Sequence, residues 1–219
     1  MKSSFVSSMA YVATAAAILL WWSTPANSEM QGAVPAYSTG DNWTFDRIAE
    51  NGSRQQFSES LVDVSQEEIV VLLSESGRKR NFSPLMNPLE KDGVEVPRVQ
   101  FPMAVGRKWE GDWQWVRNGG NRIGSHSMHW KVVAEEDVDL PVGKIKALKV
   151  EGNGWVKDRS TISSVGGDIR STETFWYSPA VKRIVKYQGK NLKWIPPQFI
   201  EVYSLSYELR SYELVASPP

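Results

Sequence analysis

From residue 40 onward, apolar and polar positions alternate with a period near two, and no stretch sustains the i, i+3, i+4, i+7 recurrence of an amphipathic helix. The clearest segment is 173–188, ETFWYSPAVKRIVKYQ. Phe175, Trp176 and Tyr177 favour a pleated, half-buried surface. Ser178-Pro179-Ala180 supplies a turn, because Pro179 fixes φ and removes a donor. Val181, Val185 and Tyr187 then alternate with Lys182 and Lys186, and Arg183 and Ile184 interrupt the alternation. The segment predicts a β-hairpin at the centre of an all-β domain.

The same pattern predicts strands over 43–50, 55–64, 69–74 and 78–82, with Asn51-Gly52 and Glu75-Ser76-Gly77 as turns. Ser65-Gln66-Glu67-Glu68 resembles a capping box and is the one helical candidate, a single turn. The stretch 83–97 holds Pro84, Pro88, Gly93 and Pro97, and reads as a long irregular connection or a cover over the mouth of the sheet. Further strands are expected over 109–116, 122–134, 145–150, 155–162 and 199–214. Loops are expected at 118–121, 135–143, 152–154, 166–168 and 191–198. In the last strand Tyr203, Leu205, Tyr207 and Leu209 share one parity, and Tyr212 and Leu214 the other, which places a β-bulge near Arg210-Ser211. Gly106-Arg107-Lys108-Trp109 echoes Gly40-Asp41-Asn42-Trp43, a short repeat in matched contexts. The fold expected over 40–216 is therefore all-β: a strongly curved antiparallel sheet or open β-barrel, two similar halves being one way to build it.

The first 28 residues read differently. Lys2 is their only charge, 9–22 is a mostly apolar run, and Ala26-Asn27-Ser28 fits a small-x-small cleavage site. That order is a secretory signal peptide, followed by a flexible leader over 29–39. The expected location is periplasmic or secreted, with no membrane span after cleavage. Removing 28 of 219 residues leaves 191, and changes the 25 basic and 25 acidic residues to 24 and 25. A near-neutral chain does not steer toward nucleic acid. There is no cysteine, so no disulfide, no thiol chemistry and no cysteine-linked lipid. Stability must come from burial, and eight Trp remain after the signal to supply it.

Four stretches carry a family resemblance. They are Gly40-Asp41-Asn42-Trp43-Thr44-Phe45, Phe101-Pro102-Met103-Ala104-Val105-Gly106-Arg107-Lys108-Trp109, the segment 140–150 (LPVGKIKALKV) and the segment 175–186 (FWYSPAVKRIVK). In that order they resemble the TapB-like group of exported bacterial domains of unknown function. The resemblance spans about 40–188 and departs at Val142, where the group usually has Ala, and at Ile145, where it usually has an aromatic. It implies a curved antiparallel sheet and an envelope location, and no reaction.

Candidate chemistry is sparse. His126 and His129, three apart on a strand, face opposite sides and make a poor metal pair. Glu135-Glu136-Asp137 with Asp139 lacks the Gly and terminal Glu of a calcium loop, and reads as solvated acid. No nucleophile elbow is present, and Ser125 beside His126 is not a triad. No catalytic residue, metal ligand or cofactor is assigned. Trp109, Trp113 and Trp115 share one strand face, and with Trp176 they are the candidate ligand-binding residues. The stripe has three readings: a core wall, the lining of a cavity for an apolar or lipid ligand, or an exposed platform for sugar rings. Lys182, Arg183, Lys186, Lys190 and Lys193 are a solvated face or a contact for anionic lipid head groups. The function expected is a non-enzymatic envelope protein that binds an apolar or amphiphilic ligand in a β cavity or concave sheet. Its rivals are an interaction module for another envelope protein and, more weakly, a cell-wall hydrolase.

Overall fold

The computed structural model describes residues 34–117, 122–160 and 167–216. The expected signal peptide, the start of the leader and the turn at 118–121 lie outside these residues. Among the described residues ten strands form: β1 (Asn42–Ile48), β2 (Arg54–Val64), β3 (Ile69–Leu73), β4 (Arg78–Phe82), β5 (Lys108–Arg117), β6 (Arg122–Leu140), β7 (Gly143–Ser160), β8 (Gly167–Ser178), β9 (Arg183–Ile195) and β10 (Gln198–Glu213). All lie in one antiparallel sheet of order β4-β3-β2-β1-β10-β9-β8-β7-β6-β5. Two meanders, β1–β4 and β5–β10, are joined by the pairing of β10 with β1. β4 and β5 stand at opposite edges, so the sheet is open rather than a closed barrel.

The sheet is strongly curved. Four strand spacings in a flat sheet would separate β10 from β6 by about 19 Å. Their Cα atoms instead come within 8 Å. Register slips contribute, since each bulge adds local twist. Thr44 faces Ser211 and Phe45 faces Leu209, which leaves Arg210 as the extra residue, where the parity change in the sequence puts it. A second slip leaves Val202 unpaired between Glu201 and Tyr203. A third lies in the central hairpin: Trp176 faces Lys186 while Tyr177 faces Ile184, so Val185 is the bulged residue. That bulge is why the alternation breaks at Arg183-Ile184. Val181 belongs to the turn rather than to β9, and Lys182 adopts a left-handed φ of 60°. Two contacts hold Lys182 there: Tyr37 Oη donates to its carbonyl at 3.1 Å, and its Nζ reaches Asp41 Oδ2 at 3.3 Å.

Three expected loops are largely strand, and β8 takes in Gly167-Asp168 of a fourth. β6 continues to Leu140 and β7 starts at Gly143, because Asp137 and Asp139 face Lys146 and Lys144 across the pair. Glu135 meets Lys146 at 3.2 Å and Asp139 meets Lys144 at 3.8 Å. β7 also runs unbroken through Gly152-Asn153-Gly154. Here glycine gives room rather than a turn: a Cβ on Gly152 would lie 2.5 Å from Trp130 Cδ1, and one on Gly154 would lie 2.7 Å from Met128 Sδ. β9 likewise extends to Ile195, leaving only Pro196-Pro197 to reverse the chain. At 65–68 there is no helix, but Ser65 Oγ still accepts from the Glu67 and Glu68 amides, at 3.3 and 3.0 Å.

Most of the core lies on one face, here called inner. One cluster gathers Trp43, Phe45, Phe57, Leu61, Val71, Phe82 and Leu209, with Met86 from the connection 83–107. The other gathers Trp109, Trp130, Val132, Val150, Phe175, Tyr177 and Tyr187, with Val96, Val99 and Met103 from that connection. The connection thus crosses the inner face and packs on it. Its own hydrogen bonds support the crossing. Asn87 Oδ1 accepts from the Val99 amide and its Nδ2 donates to the Val99 carbonyl, each at 2.7 Å.

Candidate functional site

Trp109, Trp113 and Trp115 point to the inner face from edge strand β5, and all three are buried. Trp109 stacks on Trp130 of β6 at 5.9 Å between ring centroids, and Trp130 stacks on Trp113 at 6.2 Å. Trp113 in turn stacks on His126 at 4.4 Å. The result is a four-ring ladder across two strands. Trp109 Nε1 donates to the Pro97 carbonyl at 3.1 Å, which ties the ladder to the covering connection. Trp176 is also buried but has the opposite parity to Phe175 and Tyr177, and packs with Val138, Ala147 and Val185. Its Nε1 donates to Glu136 at 2.6 Å, and the ammonium groups of Lys149 and Lys186 lie 5.7 and 5.3 Å from its ring centre. The structure therefore brings three of the four candidate residues together and sets Trp176 apart.

Beside the ladder is a buried carboxylate, Glu173, that no motif in the sequence marks. One row of the sheet runs Trp109, Trp130, Gly152, Glu173, Gly189 and Leu205 across six strands. Glu173 takes Trp130 Nε1 at 2.5 Å on Oε1, and Tyr187 Oη at 2.7 Å and Arg98 Nε at 3.2 Å on Oε2. The glycines on either side make this geometry available, since a Cβ on Gly189 would lie 2.5 Å from Tyr187 Oη. Arg98 comes from the connection, and its guanidinium also lies 5.2 Å from the Tyr187 ring centre. Burial acts to lower the Arg98 pKa, and the Glu173 carboxylate together with Tyr187 and Tyr207 outweighs it, leaving the guanidinium more firmly charged than usual. Glu173 thus pins the connection to the sheet, with its oxygens engaged by protein donors rather than presented to a substrate. The signal in the sequence was parity: Glu173 shares its strand face with Phe175 and Tyr177.

A second pair does similar work. Arg183 meets Glu59 at 2.6 Å, donates to the Met86 carbonyl at 3.4 Å, and lies 5.9 and 5.3 Å from the Trp43 and Phe82 ring centres. Most of the basic set of 182–193 is therefore engaged within the fold. Lys182 meets Asp41, Lys186 lies over Trp176, and Lys190 meets Glu201 at 2.9 Å. His129 is exposed on the face opposite His126 and meets Glu110 at 3.2 Å.

Two solvent-open grooves flank the sheet. One, of roughly 550 Å³, is lined by Lys108, Glu110, His129, Lys131 and Glu151 with the Trp109 and Trp130 edges. The other, of roughly 660 Å³, lies between the end of β1 and the β9–β10 pair.

Packed tyrosines give the inner face a pH signature. Burial raises the Tyr37, Tyr177 and Tyr187 phenols above their ordinary value, and Tyr207, closed in by Phe45, Phe57 and Tyr187, is pushed up to about 12. A folded pKa above the unfolded value near 10 gives stability that is complete below pH 10 and is lost as pH rises through the folded value. Stability should therefore fall between about pH 10 and 12. These phenols should ionise together with unfolding in a tyrosinate absorbance titration. Their full ionisation before any loss of near-ultraviolet dichroism would contradict this packing.

No protein-family model matches the chain, and no curated protein matches its sequence. Solved structures do. An exported-protein candidate with a YmcC-like fold from Bacteroides fragilis aligns with a TM-score of 0.51 and 14% identity, over 84% of this chain and 100% of that one. A lipoprotein candidate from Parabacteroides distasonis aligns at 0.49 and 12%, over 83% and 99%. The hypothetical lipoprotein YmcC from Escherichia coli aligns at 0.44 and 12%, over 86% and 91%. The open, curved ten-stranded sheet of this chain is thus similar to the YmcC-like fold.

Proposed function

We propose that the protein is a non-enzymatic, exported component of the bacterial envelope that works by surface contact rather than by enclosing a ligand. The charged, apolar and small-residue order of its start supports export, as does the motif resemblance to the TapB-like group. One observation carries the choice of contact over enclosure. A carrier for an amphiphile needs free space against the indole face, and the connection packs Val96, Val99 and Met103 into the cluster that holds Trp109 and Trp113. Polar groups there are used internally as well, Glu173 by Arg98, Trp130 and Tyr187.

Titration with a fatty acid, followed by indole fluorescence, tests this reading. The expected result is no saturable change, because the ladder is closed by its own chain. Saturable stoichiometric binding that is lost in Trp113→Ala, with the fold intact, would overturn it and restore an amphiphile carrier.

A further inference from the structure

One end of the sheet is left out of the core. β1 stops at Ile48, opposite Ser206, so, among the described residues, 198–205 of β10 have no strand on that side, an overhang of about 25 Å. On this overhanging hairpin Trp194, Ile195, Phe199, Ile200, Val202 and Tyr203 are each between 39% and 53% exposed. They occupy both faces. Trp194 and Phe199 are cross-strand partners on the outer face, with ring centroids 5.0 Å apart. Ile200, opposite Lys193, and Tyr203, opposite Asn191, have the inner parity. Trp155 of β7, also exposed, adds an indole to the outer face beside Arg170.

We propose that this end docks onto an anionic phospholipid surface, with the β9–β10 tip entering to head-group depth. The proposal deepens the contact reading above by naming the partner. A rigid partner surface covers one face of a hairpin, whereas a fluid apolar layer takes up both. Trp, Tyr and Phe beside Lys and Arg are the side chains that favour a membrane–water interface, their rings in the head-group region and their cations toward lipid phosphate. Charge follows the same direction. Across the neighbouring described strand ends 155–157, 168–170 and 190–203 the sequence has four basic and two acidic residues, in a chain that totals 25 of each. Depth is limited by the free edge of β10, whose unpaired backbone groups are costly to bury in hydrocarbon.

Co-sedimentation of the exported chain with phosphatidylcholine vesicles, with and without phosphatidylglycerol, tests the proposal. Binding is expected only with phosphatidylglycerol and should weaken as salt is raised. The double variant Trp194→Ser/Phe199→Ser, altered at exposed positions, should bind roughly tenfold more weakly with unchanged circular dichroism. In the unaltered protein, lipid brominated on the acyl chain should quench part of the indole emission. Absent binding, binding undiminished in the double variant, or absent quenching would overturn the proposal. So would a dimer in solution that the double variant abolishes, since the occupant would then be a second copy. None of these outcomes depends on the fatty-acid titration, so failure of membrane docking is distinct from failure of the contact reading.

Discussion

Glu173→Ala is expected to destabilise the protein by about 3 kcal/mol, read from urea unfolding. The substitution removes one carboxylate and strands three donors: the Arg98 guanidinium, Trp130 Nε1 and Tyr187 Oη. Each unsatisfied buried neutral donor costs about 1–3 kcal/mol, and breaking a buried ion pair costs about 3–5. The lower end applies because the Arg98 side chain keeps 27% of its surface in water. Two companions separate this cause from generic damage. Glu173→Gln keeps the shape and one acceptor, and should lose less. Arg98→Met with Glu173→Leu removes both charges, and should lose less than Glu173→Ala alone. A loss in Glu173→Ala within the scatter of surface substitutions would show that the carboxylate does not hold the connection.

Trp130→Ala carries the other large effect, about 3–5 kcal/mol. The indole is 2% exposed, stacks on Trp109 and Trp113, and bonds Glu173. Removing it opens a void between two rings that the edge strand cannot readily close. Gly152 supplies the control. In the unaltered protein Gly152→Ala forces a Cβ to 2.5 Å from the indole, whereas in the Trp130→Ala background that contact is gone. The glycine substitution should therefore cost much less in the second background. Additive losses would contradict the close approach of β6 and β7 at this point. A loss under 1 kcal/mol for Trp130→Ala would show that the ladder is a loosely held wall.

The fold class and most strands were legible because a half-buried sheet writes itself as alternation. The Arg210 bulge was legible for the same reason, through a parity change between Leu209 and Tyr212. Long strands were not. Gly152-Asn153-Gly154 reads locally as a turn, and only Trp130 and Met128, more than twenty residues earlier, explain why glycine is needed within a strand. The acidic run 135–139 reads as a loop until lysines of β7 are placed opposite it. Of the candidate site, the shared face of Trp109, Trp113 and Trp115 was readable from β5 alone. What fills that face was not, because Val96, Arg98, Val99 and Met103 lie in a stretch with no periodicity. Glu173 pairs with Arg98 across 75 positions, a contact that alternation does not encode.

That the inner face is filled by the protein's own connection is tested most directly by native mass spectrometry of the protein purified from its own envelope. The account predicts a single species at the mass of the polypeptide, in the unaltered protein and in Trp113→Ala alike. A stoichiometric lipid-sized adduct that survives Trp194→Ser/Phe199→Ser and disappears in Trp113→Ala would contradict it.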